Sequence, residues 1–374
     1  MNNRLLLALL LVWTALMTSG CYDRIDMEEQ TTSFLLGLDL DQQNRLIVYS
    51  TNPVFGKRGG KQSQVIVQRA DTIRKSRELL EAHTLGFLSF RKVQILLLGQ
   101  RLLEHDDWFR LLDVLLRDTK NPLTQRVVAY NGPLSDIIDI NPPDQPMLPL
   151  LLRWMVDTKS AHSETVRTTF QELDRQMYEK GVTPYISSVI LDKKKDVVLH
   201  GTTLLDKKGK FAASLDMPET VLLQILQKRA DQPVSLTIRI PGEARSGILD
   251  TDRLSFETEK VKTKISTSYS ENRFQFAIDV SMPITLTERL YPYDVKEQGK
   301  RLEQVIAEQL QLKFQNVIRT VQVNKIDPLG LGLYARAYAF DRYQQVSDRW
   351  GAELAKADIG VTVKVRIRSV GPVK

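Results

Sequence analysis

The sequence predicts an α+β protein of several domains, three by its own punctuation, each a mixed or largely antiparallel sheet with packed helices. Three observations carry this. The 374 residues include 42% hydrophobic side chains, enough for two or three cores at about 100–200 residues per domain. Strand-sized segments, alternating or wholly apolar, are interspersed with stretches of helical period, so sheet and helix belong to the same units. Finally, Asn141-Pro142-Pro143-Asp144-Gln145-Pro146 forbids regular structure, because proline fixes φ and removes a backbone donor. The resulting division is a leader over 1–20, an N-terminal mixed α/β domain over 21–135, a middle domain over 136–215 and a C-terminal α/β domain over 216–374.

Each element has a local reason. Ser33 to Leu40 and Arg45 to Thr51 alternate around the polar turn Asp41-Gln42-Gln43-Asn44, which predicts a hairpin. Gln64 to Arg69 adds a strand after the loop Gly56–Gly60. Asp71 or Thr72 can cap a helix reaching about His83, with Ile73, Leu79 and Leu80 inward. Lys92 to Leu98 is a buried strand, and Glu104 to Arg117 places Trp108, Leu111, Leu112, Leu115 and Leu116 on one helical face. Gln125 to Tyr130 closes this set as a strand. Beyond the proline break come a helix over about Thr165 to Lys180 and three strands between Tyr185 and Ser214. Glu219 to Arg229 is a short helix after Pro218. Strands follow at Val234 to Ile240, Leu254 to Ser266 and Arg273 to Met282.

The longest helix is expected near 295–323, with Leu302, Val305, Ile306, Leu310, Phe314, Val317, Ile318 and Val321 as its stripe. The stripe is not a strict heptad, so the helix should lie across its own sheet rather than seek a coiled-coil partner. Asp327-Pro328 and the glycines at 330 and 332 read as its terminating turn. Tyr334 to Asp341 resumes as helix, and Gly360 to Val370 alternates Val/Ile with Lys/Arg as a final strand with one wet face.

The N-terminus fixes compartment. Met1 to Arg4 is a short basic region, Leu5 to Met17 an apolar run, and Thr18-Ser19-Gly20 small residues leading to Cys21, the only cysteine. This is the layout of a lipoprotein signal peptide, cleaved between Gly20 and Cys21, with Cys21 taking S-diacylglycerol and, in some cases, an N-acyl group. The run falls short of the roughly 20 apolar residues a membrane span needs. One cysteine also excludes an intrachain disulfide and Cys-rich metal sites. The net charge of +7 suits an anionic lipid surface. Lys193-Lys194-Lys195 and Lys207-Lys208 lack interleaved aromatics and read as solvated turns, not as nucleic-acid contacts.

No catalytic pattern stands out. His83, His105, His162 and His200 lie on separate elements, without the i, i+4 pairing of a zinc helix. There is no Gly-x-Ser-x-Gly elbow. Gly330-Leu331-Gly332 is only a fragment of a phosphate loop and does not follow a strand. No enzyme activity, cofactor or metal is therefore expected. An extracytoplasmic solute-binding lipoprotein of a transport system is the alternative class, and it would need an aromatic-lined cleft between two lobes.

The order of motifs resembles one family. Gly20-Cys21-Tyr22-Asp23-Arg24 is followed by Phe34-Leu35-Leu36-Gly37-Leu38-Asp39-Leu40-Asp41, then by Phe87 to Gly99 and Leu112 to Tyr130. Near the C-terminus Asp327-Pro328-Leu329-Gly330-Leu331-Gly332 resembles an Asp-x-x-Gly-x-Gly stretch, with Trp350 after it. Together these are similar to the Ger(x)C spore germination lipoproteins across essentially the whole chain. Tyr22 stands where Trp is commoner and Leu331 where Phe is frequent. The resemblance implies three mixed α/β domains and a non-enzymatic C subunit of a nutrient germinant receptor. It further implies integral membrane A and B subunits as partners, and a place on the outer face of the cell membrane and at the spore inner membrane. Direct germinant binding by this subunit is not expected.

Overall fold

The computed structural model describes residues 30–54, 62–84, 86–140, 144–241, 252–289 and 295–370, together with Arg4, Trp13 and Thr14. Gly20 and Cys21 lie outside the described residues. The fold opens with β1 (Gln30–Thr32), the hairpin β2 (Leu35–Leu40) and β3 (Leu46–Pro53), and β4 (Ser63–Arg69). Helix α1 (Ile73–Glu81) follows, its first turn capped by the Thr72 hydroxyl accepting from Lys75 N. It leads through β5 (Phe87–Ser89), parallel to β1, into β6 (Ile95–Gly99). All five residues of β6 are buried, as its unbroken apolar run demands of a central parallel strand.

The expected helix over Glu104 to Arg117 is three pieces. A short α2 (Gln100–Leu103) precedes it, Asp107 takes φ 63°, a 3-10 turn covers Trp108–Leu112, and α3 (Asp113–Arg117) completes it. Asp107 in the left-handed region breaks the helical path, and the apolar stripe still reaches the core through Trp108, Leu112 and Leu115. Next come β7 (Arg126–Tyr130), a 3-10 turn at Leu134–Asp136, α4 (Leu148–Ala161) and α5 (Phe170–Tyr178). Helix α4 was not legible in the sequence. The proline cluster masks its start, although Pro149 stands in its first turn, where the missing N–H costs nothing.

Strands β8 (Tyr185–Leu191), β9 (Val197–Leu205) and β10 (Phe211–Asp216) complete an eight-stranded sheet of order β10-β9-β8-β7-β6-β2-β3-β4. Its interior strands β2, β6, β7 and β8 are mutually parallel. The alternation along β6 divides the core: Leu96 and Leu98 pack with α1, Trp108, Phe170 and Leu173, while Ile95 and Leu97 pack with Leu134, Leu148, Leu152 and Val156. Strands β7 and β8, on either side of the division expected at 135/136, pair from Val128 with Ser187 to Tyr130 with Val189. One sheet therefore runs through both segments. Arg126 on β7 ties α4 down through Asp157 at 2.7 Å.

The C-terminal part opens with α6 (Met217–Leu226), whose Asp216–Glu219 capping box satisfies both ends of its first turn. Its second sheet holds β11 (Ser235–Arg239), β12 (Arg253–Thr258), β13 (Lys262–Ser270) and β14 (Arg273–Arg289). The strand expected over Leu254 to Ser266 is thus two, lying one after the other along β14. Helix α7 (Val295–Val323) matches its expected span, and Leu302, Ile306, Leu310, Phe314, Val317, Ile318 and Val321 are buried in the same core as the inward face of β14. Helices α8 (Leu331–Tyr338), α9 (Phe340–Val346) and α10 (Trp350–Leu354) precede β15 (Asp358–Ser369), which runs parallel to β14 on its other side.

Candidate functional site

Among the described residues the two most deeply buried carboxylates are Asp39 and Asp327, and both accept from backbone N–H groups. Asp39, at the carboxyl end of β2, is 2% exposed. It accepts from Leu40 N at 2.8 Å and from Leu134 N at 2.9 Å, which joins the end of β2 to the turn after β7. Burial raises its pKa, and the backbone donors work against that rise.

Asp327 is the centre of a larger network. It lies between α7 and α8 and is fully buried. Its Oδ1 accepts from Gly330 N at 2.8 Å and Leu331 N at 3.1 Å, and its Oδ2 accepts from Gly332 N and Trp350 Nε1, both at 2.7 Å. Burial pushes the carboxyl up to about 6, with the four donors restraining the rise. The arrangement is a cap on the N–H groups that open α8, which have no partner within the helix. Gly330-Leu331-Gly332 therefore begins a helix, where the sequence suggested the end of one. Gly330 supports this with φ 76°, a conformation open to glycine at little cost.

The same aspartate joins the two sheets. Asp327 O accepts from Thr183 N and Asp327 N donates to Thr183 Oγ1, both at 2.9 Å, immediately before β8. Gln227 Nε2 donates to Pro328 O at 2.7 Å, and Arg336 pairs with Glu179 at 2.9 Å. A Cβ on Gly332 would stand 2.6 Å from Gly181 Cα and 2.7 Å from Trp350 Nε1, so the close approach of two backbones requires glycine there. Trp350 is wedged against Phe274 and Tyr343, with ring centroids 5.1 and 5.4 Å away.

The lysine turns differ from one another. Lys207 is not simply a solvated loop residue: its Nζ donates to Gln176 O, Glu179 O and Val182 O at 2.9, 2.6 and 3.4 Å, closing the carboxyl end of α5. Lys208 pairs with Asp106 at 2.9 Å. Sequence reasoning missed Lys207 because its partners are carbonyls on another element, which leave no trace in the local pattern.

Of the four histidines, His200 lines a small cavity of about 140 Å³ with Glu104, Tyr130 and Ser188. Among the described residues no group of three or more His, Cys, Asp or Glu could hold a metal ion. Among them also, no helix is long and apolar enough to cross a membrane. The residues expected to carry lipid, Gly20 and Cys21, have no described geometry.

A mixed α/β protein of two large sheets and a two-stranded one, with a buried Asp-x-x-Gly-x-Gly cap beside the contact between the large sheets, is the class these features define. Residues 23–191 match the family described as spore germination protein N-terminal domain, and residues 200–371 match spore germination B3/GerAC like, C-terminal. A curated relative, spore germination protein KC of Bacillus subtilis (strain 168), is 20% identical over 406 residues, covering 99% of this chain and 97% of that protein. The crystal structure of the GerBC protein shares the fold with TM-score 0.57 at 18% identity, covering 89% of this chain and 96% of that one. The chain belongs to the Ger(x)C family of spore germination proteins.

Proposed function

We propose that this protein is the non-enzymatic C subunit of a nutrient germinant receptor. It would be held on the outer face of the membrane, and at the inner membrane of the dormant spore, by lipid on Cys21. Its partners in this reading are the integral membrane A and B subunits. The observation that supports it best is coverage: the two family descriptions follow one another over nearly the whole chain, in N-terminal then C-terminal order. The buried carboxylates agree with a non-catalytic role, since Asp39 and Asp327 are occupied by backbone donors.

The anchor gives the role a physical basis. One acyl chain binds membranes only marginally, whereas two hold effectively, so diacylglycerol on Cys21 would concentrate the folded part beside membrane-embedded subunits. The test is purification of the protein from detergent-solubilised spores. Two integral membrane proteins should co-purify with it in stoichiometric amount, and recovery of this chain alone refutes the reading. Mass spectrometry of the mature N-terminus tests the anchor separately, with Cys21→Ala releasing the protein into the soluble fraction.

A further inference from the structure

A groove of about 1060 Å³ opens between α1, β5 and α3, at the point where the chain enters the fold. Its floor is apolar, with Ile73, Leu88 and Leu115 buried. Its rim carries Arg74, Arg91, Arg110, Arg117 and Lys120, all exposed. Several carboxylates of the groove already face bases on their own helices: Glu78 with Lys75 at 2.6 Å, Glu81 with Arg77 at 3.3 Å and Asp113 with Arg117 at 2.7 Å. Counted over the whole lining, six basic side chains, Arg77 included, stand against the four acidic ones Glu78, Glu81, Asp113 and Asp118, so the groove is basic on balance. Beside it Phe87 is 63% exposed and lies directly across the β1–β5 pair from Gln30. An isolated exposed residue is ordinary, but an exposed aromatic within a basic rim is the pattern of an interfacial contact.

We propose that this groove is the membrane-facing side of the protein, seating anionic phospholipid headgroups on its arginine rim with Phe87 in the interfacial layer. The placement rests on the lipid anchor proposed above. From residue 21 to residue 30 the chain can span only about 30 Å at full extension, so a tether at Cys21 keeps Gln30 and Phe87 close to the bilayer. The arginine fork suits a phosphate oxygen pair. The basic rim supplies attraction that falls with salt and within a Debye length of the surface.

The test uses the mature chain from residue 21 carrying Cys21→Ala, so that acylation plays no part in the result. Co-flotation is measured with vesicles of pure phosphatidylcholine and with vesicles containing phosphatidylglycerol. Binding is expected only to the anionic vesicles and should weaken with added salt. The combined variant Arg74→Glu, Arg91→Glu, Lys120→Glu should bind at least about 100-fold more weakly, and Phe87→Ser about tenfold more weakly. Lys193→Glu with Lys194→Glu, in the β8–β9 turn, should bind as the parent does. Cooperative thermal unfolding checks each fold, and the glutamine replacements serve for any charge reversal that fails it. No anionic binding, or loss of binding in the β8–β9 turn variant instead, overturns the proposal. If flotation fails while mass spectrometry finds the Cys21 lipid, the groove assignment falls and the anchor stands; the reverse pattern removes the anchor alone.

Discussion

Replacing Asp327 by Ala is the sharpest perturbation of this fold. The substitution strips an acceptor from four buried donors, Gly330 N, Leu331 N, Gly332 N and Trp350 Nε1. A buried polar group left without a partner costs about 1–3 kcal/mol. Water reaching the new space would satisfy some of the four, and loss of a buried charge removes its own desolvation cost, so the net loss expected is about 3–5 kcal/mol. The first sheet does not depend on this carboxylate, and the clamp at Thr183 uses the main-chain N and O of Asp327, which the substitution keeps; the start of α8 and the seat of Trp350 do depend on it. Differential scanning calorimetry should show the main transition about 5 °C lower. Near-ultraviolet dichroism should lose the signal of Trp350, which is held against Phe274 and Tyr343. Trp350→Phe removes one of the four donors and should cost less than Asp327→Ala. A melting temperature for Asp327→Ala within about 2 °C of the parent would refute the claim that this cap supports the start of α8 and the packing of Trp350.

Three further outcomes follow from the same structure. The folded pKa of Asp327, pushed up to about 6 from an ordinary 3.8, makes its contribution greatest below pH 4 and lost as pH rises through 6. The stability gap between parent and Asp327→Asn should therefore narrow by about 2 kcal/mol between pH 4 and pH 6.5 in urea titrations, and a gap that widens contradicts the burial argument. Lys207→Met removes the ammonium from three carbonyls at the end of α5 and should cost about 1–2 kcal/mol, read as a lower urea midpoint. Phe314→Ala empties a fully buried site between α7 and the second sheet and should cost about 3–5 kcal/mol with an unchanged urea slope.

What the sequence reveals about this fold depends on how local the cause is. The buried run of β6, the alternation of β14 and the stripe of α7 write their environments into period and composition, so their existence is legible. Helix α4 is not, because the helix signal begins directly after a proline cluster that reads as a boundary. The break at Asp107 depends on one residue adopting φ 63°, which no periodicity records. Continuity of the first sheet is also hidden, since the pairing of β7 with β8 joins residues about 60 positions apart and loop closure at that distance is weakly constrained by length. The Asp327 cap occupies an intermediate place. Its spacing to Gly330 and Gly332 is visible, but its meaning depends on Thr183 and Trp350, contributed from 144 residues before and 23 after.

The two family matches are separated by residues 192–199, the turn that joins β8 to β9 and the first three residues of β9. That turn is not a domain linker. Tyr185 to Leu191 pairs antiparallel with Val197 to Leu204 across it, so the C-terminal match supplies β9 and β10 to a sheet otherwise built from the N-terminal one. Buried hydroxyls reinforce the join: Thr165 Oγ1 donates to Gly201 O at 2.7 Å, and Gln224 Nε2 on α6 donates to Thr165 O at 2.7 Å. On the other side of β8, Asp327 reaches back from the second sheet to Thr183. A cut in the β8–β9 turn would bare a buried strand edge on each piece, and unpaired interior edges are costly and prone to aggregate. Movement between the two matched regions by a hinge at their boundary would require breaking this sheet. Motion that leaves the pairing intact must instead carry both regions together, relative to whatever surface the N-terminal groove engages.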